Sequence, residues 1–107
     1  MSERTALHTA VERLAGRLRA LPQRRLRAGA AAEGLELARW LARQAQLLEF
    51  PGREPYDMPD DGIFVVGDQL AVAGHELAAV ADRDPGRAEG VLVEALRRLA
   101  VTAKAVG

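Results

Sequence analysis

The chain has 107 residues, 49% of them hydrophobic, with 15 basic and 15 acidic side chains and no cysteine. That length and balance build one domain around one core and exclude a wholly disordered chain. The missing cysteine excludes disulfides, thiolate metal sites and cysteine nucleophiles, and the zero net charge speaks against a generic nucleic-acid binder.

The first element predicted is a helix over about Glu3–Leu21. Leu7, Val11, Leu14, Leu18 and Leu21 recur at spacings of 4, 3, 4 and 3, which is one helical stripe. Ser2 supplies an N-cap, and Pro22 ends the helix by disfavouring helical geometry at the residue before it. A second helix carries Ala30, Gly34, Leu37, Leu41 and Leu48, with Ala45 beside them and Glu36, Arg39, Arg43 and Gln46 opposite. It ends near Phe50, before Pro51-Gly52. Its start has two readings, a break at Gly29 or a beginning at Pro22 as a first-turn proline.

Residues 51–62 hold three prolines and two glycines and form a loop. The loop is long for a bundle connection, so it either crosses one end of the bundle or has a role of its own. Tyr56 and Met58 are its apolar anchors, read either as a cap beside Phe50 and Phe64 or as a docking epitope.

Over residues 62–82 helix competes with hairpin. Gly67-Asp68 between apolar runs fits a two-residue turn within 62–73. Against it, Ile63, Val66, Leu70, Ala73, Leu77 and Val80 hold spacings of 3, 4, 3, 4 and 3, and Gly67, Ala71, Gly74 and Ala78 form a second stripe of small residues only. Two coincident helical stripes favour helix. A fourth helix opens on Asp84-Pro85, a cap followed by a first-turn proline, and carries Leu92, Leu96, Leu99, Ala103 and Val106. The short link predicts that the third and fourth helices are antiparallel neighbours.

These elements predict an all-α, antiparallel up-and-down four-helix bundle spanning residues 1–107. No run of 18 apolar residues and no signal-peptide core is present, so the expectation is a cytoplasmic protein with no membrane partner.

Charge is uneven along the chain. Residues 1–48 hold nine arginines and four glutamates, whereas residues 49–90 hold three arginines and ten acids. A charge-polar molecule can dock a charged partner, but charge runs are ordinarily solvated faces. Arg13, Arg17, Arg19, Arg24, Arg25 and Arg27 form a basic cluster without a recognition-helix or RNA-binding signature. Arginine outnumbers lysine fourteen to one, so the cluster reflects composition first, and nucleic acid is not an expected partner.

Among the acids, Glu33 and Glu36 share a helix face, and Asp68 and Glu76 lie eight apart on the third helix. Four carboxylates from two helices suit Mg²⁺. The Glu33-x-x-Glu36 spacing and helical layout resemble the all-α nucleotide pyrophosphohydrolases of the MazG type, which implies Mg²⁺-dependent nucleotide hydrolysis at Glu33, Glu36, Asp68 and Glu76. Those enzymes continue with a downstream Glu-x-x-Asp; here Val65 stands three before Asp68 and Ala79 three after Glu76, so that half of the motif is missing.

His8 and His75 are the only imidazoles. His75 shares a face with Asp68 and neighbours Glu76, but a His-Glu-x-x-His site needs a second histidine where Ala79 stands. With Ser2 the only serine, Ser-His-Asp chemistry is excluded, and no glycine-rich phosphate loop follows a strand.

The expected role is therefore a non-enzymatic interaction or regulatory module that uses no cofactor and binds a second copy of itself or another protein. Trp40 and Leu47 on the second helix, and Val65 and Val72 on the third, are apolar beyond the core stripes and are the expected homodimer seam.

Overall fold

The computed structural model describes residues Ser2–Gly107, and all its long elements are helices: α1 (Glu3–Ala20), α2 (Ala31–Glu49), α3 (Val66–Arg83) and α4 (Pro85–Val106). No strand occurs among the described residues. The hairpin reading of residues 62–73 is thus replaced by a turn and a helix. Val66, Leu70, Ala73, Leu77 and Val80 are all buried, and a 3.6-residue stripe buries them together only as a helix.

The ends follow local chemistry. Ser2 Oγ accepts a hydrogen bond from the Thr5 amide at 3.1 Å, and Leu21 before Pro22 is extended at ψ 141°, as a pre-proline residue prefers. Both readings of the second helix's start hold in part. A helical turn forms at Gln23–Arg25 and continues through a wide turn over Leu26–Ala30, but Gly29 breaks it at φ 141°, a conformation glycine adopts without steric cost. Asp84 caps α4 through the Arg87 amide.

The four-helix bundle forms around one continuous core of leucine, valine and alanine. Its core stripe on α4 runs Ala88, Leu92, Ala95, Leu99, Thr102 and Val106, with Leu96 and Ala103 only partly buried. The stripe is rotated slightly from the one the leucines suggest, because Leu96 and Ala103 line a groove against α1.

Helix directions are set by the long connection. Segment 50–65 does not cap an end of the bundle. It returns along α2: Gln46 bonds both backbone groups of Tyr56, Arg43 pairs with Asp57, and Arg39 Nε donates to the Met58 carbonyl at 2.8 Å. Gln69 then donates to the Pro59 carbonyl. The chain so re-enters at the end where α2 began, where Gly34 lies against Val66, and α2 and α3 run the same way to meet again at Glu49–Arg83. This crossover replaces the strict alternation of an up-and-down bundle at that one connection.

The extensive packing is α2 on α3, α1 on α3, α1 on α4 and α2 on α4. The pairs α1·α3 and α2·α4 are antiparallel. Helices α3 and α4 are antiparallel as expected but diagonal rather than neighbours, because the crossover inserts α3 between α1 and α2.

Candidate metal centre

The small stripe of α3 decides what meets across the bundle surface. A Cβ at Gly74 would lie 2.5 and 2.6 Å from the Val11 methyls, and one at Gly67 would lie 2.8 Å from the Ala15 carbonyl oxygen. Only glycine lets the α1 and α3 backbones come this close. The seam they form carries three cross-links in register: Arg4–Asp82, Glu12–His75 and Arg19–Asp68.

The middle rung differs from the other two. His8 and Glu12 are four apart on α1 and so stand one above the other. His75, beside Gly74, reaches them from α3. Its Nε2 is 3.6 Å from Glu12 Oε1, and the two imidazole centroids are 4.4 Å apart. One ligand atom from each of the three lies within 4.8 Å of the others, the only such group of three among the described residues. His8 and Glu12 are exposed and His75 is half-buried. An open groove of about 370 Å³, lined by Arg4, Thr5, Thr9, Ala78 and Asp82, adjoins His8.

Sequence reasoning placed His75 with Asp68 and Glu76 instead. The structure separates them: Asp68 is held by Arg19 at 2.7 Å, and Glu76 takes part in no ion pair among the described residues. The signal for the true grouping was the His8-x-x-x-Glu12 spacing, but nothing in the sequence says which helix faces α1 at that level.

The four carboxylates of the hydrolase reading do not converge. Glu33 and Glu36 line a groove between α2 and α4 with Arg97, Arg98 and Thr102, whereas Asp68 is bound to α1. In that α4 wall, Arg97 hydrogen bonds Glu94 through two nitrogens. This holds the Glu94 carboxyl below its ordinary range and raises the Arg97 guanidinium in turn.

Three of the six arginines of the basic cluster are engaged by the fold. Arg17 and Arg25 donate to the Ala103 and Val106 carbonyls, capping the end of α4 where carbonyls lack helical partners, while Arg19 holds Asp68.

The four residues of the expected seam fall into two groups. Trp40 is half-buried under the Arg98 guanidinium of α4, 4.4 Å from its ring centroid, and Leu47 is half-buried two turns on. Val72 is 55% exposed and Val65 partly so, on the back of α3. Segment 50–65, which ends on Val65, is bonded along α2 at Arg39, Arg43 and Gln46. Of the loop anchors, Met58 packs against the core and Tyr56 stays exposed.

No helix among the described residues is long and apolar enough to cross a membrane. Neither a known protein family, nor a curated protein, nor a solved structure matches this chain.

Proposed function

We propose that the chain is a small helical interaction module that self-associates through the outer face of α3. The observation that carries this reading is Val72. It is 55% exposed on an otherwise charge-bearing face, one heptad after the partly exposed Val65, and Phe64, in the turn just before α3, is 66% exposed. Exposed apolar side chains grouped on one surface are what a partner would cover.

A second copy would meet this face with the same residues. A two-fold axis through Val72 brings position 76 of one copy opposite position 68 of the other. Among the described residues Glu76 has no ion-pair partner, while Asp68 pairs with Arg19 at 2.7 Å and itself stays exposed. Trp40, under Arg98 of α4, and Leu47 lie on α2 outside this face.

Light scattering after size exclusion tests the reading. The tag-free chain should elute with twice its 11.5 kDa mass at about 50 µM, since self-association depends on concentration. Val72→Arg should return the monomer mass with helical content unchanged. A monomeric parent, or a Val72→Arg variant that stays dimeric, overturns it.

A further inference from the structure

We infer that His8, Glu12 and His75 form a binding site for a divalent transition-metal ion of the zinc type, a proposal independent of self-association. Both imidazoles of the chain, 67 positions apart in sequence, meet at one point beside a carboxylate. Two nitrogens and one oxygen suit Zn²⁺ and its neighbours in the first transition row; Mg²⁺ and Ca²⁺ prefer all-oxygen sites.

The fit is close. Tetrahedral Zn²⁺ with ligand bonds of about 2.0–2.1 Å sets its donor atoms about 3.3 Å apart. The three donors already lie within 4.8 Å of one another, and the His75–Glu12 pair is at 3.6 Å. Rotamer adjustments of about an ångström close the rest. The helices need not move, because Gly74 and Val11 fix their spacing one residue away from His75 and one residue before Glu12. The outer rungs Arg4–Asp82 and Arg19–Asp68 hold the seam on either side.

Three protein ligands leave a fourth position open, the pattern of sites that accept a water or a small ligand rather than closed structural sites. The groove lined by Arg4, Thr5, Thr9 and Asp82 adjoins His8, so that fourth position is reachable from solvent.

Calorimetric titration of the chelator-treated, tag-free chain with Zn²⁺ tests the site, with Co²⁺ absorption spectra as a second readout. One ion per chain is expected, with Co²⁺ bands of a nitrogen–oxygen tetrahedral centre. His75→Gln and His8→Gln should each weaken binding by about tenfold or more, the loss typical when a metal site is disturbed, and Mg²⁺ should give no heat. His8 and Glu12 are exposed and His75 only half-buried, so circular dichroism of the variants should match the parent. Absence of Zn²⁺ binding overturns the proposal. So does binding that His75→Gln and His8→Gln weaken by less than about threefold, which would place the ion elsewhere.

Discussion

A methyl group at Gly74 would press into both methyls of Val11, a β-branched side chain with little rotamer freedom on a helix. Gly74→Ala should therefore lower stability by about 1–3 kcal/mol, the cost of overpacking, although alanine is ordinarily the better helix former. Gly16 and Gly90 are the internal control: both are helical, and a Cβ at either meets nothing within 4 Å. Gly16→Ala and Gly90→Ala should each raise stability by up to about 1 kcal/mol. Urea titration of the three variants measures the contrast, and a stabilised Gly74→Ala would contradict the close packing of α1 on α3. The exposed carboxylates behave differently. Glu33→Gln and Glu36→Gln should shift stability by no more than about 0.5 kcal/mol, and any nucleotide hydrolysis that either abolishes would restore the enzymatic reading.

The strap over residues 50–65 is an element held by polar contacts more than by burial. Gln46 supplies two of them, accepting from the Tyr56 amide at 2.7 Å and donating to its carbonyl at 2.8 Å. Removing both should cost about 1–3 kcal/mol, at about 0.5–1.5 kcal/mol per hydrogen bond. Its sharper effect is local, since weakly buried segments open without global unfolding. Gln46→Ala should speed proteolytic cutting within 50–65 while the thermal transition of the helices moves little. Equal cleavage rates for variant and parent would mean that Met58 packing and the Arg39 bond hold the strap unaided. Among the helices, α3 is the most deeply set, packed on both α1 and α2. A cavity there, as in Leu77→Ala, should cost about 2–5 kcal/mol in a urea titration, since Leu77 is fully buried.

Across the whole molecule, part of the charge segregation of the sequence is met internally: three of the ten acids of residues 49–90 pair with arginines of residues 1–48. Basic α1 meets acidic α3 at Arg4–Asp82 and Arg19–Asp68, and the acidic strap meets α2 at Arg43–Asp57. At these contacts the separation along the chain supplies complementary faces of one bundle. One contiguous core joins all four helices, so unfolding should be a single cooperative step. Trp40 lies at the α2–α4 seam under Arg98 and reports tertiary packing, whereas far-ultraviolet circular dichroism reports helix. The two urea midpoints should coincide; a Trp40 transition at lower urea would show that α4 detaches first.

The residues by themselves determined the helices and their buried faces. Periodic leucines, the Ser2 and Asp84 caps and Pro22 act within a few residues of themselves, so their effect is local and readable in order. The helical identity of residues 66–83 was legible for the same reason, because a hairpin would have split both of its stripes. What only tertiary structure decided is direction and neighbourhood. A linker of this length can cross an end or run back along a helix, and its composition does not distinguish them. The choice came from Arg39, Arg43 and Gln46 bonding the strap along α2. That choice put α3 beside α1, where Gly67 and Gly74 allow close approach. It thereby separated Trp40 and Leu47 from Val65 and Val72 and brought His75 to His8 and Glu12, a grouping no spacing rule connects across 67 residues.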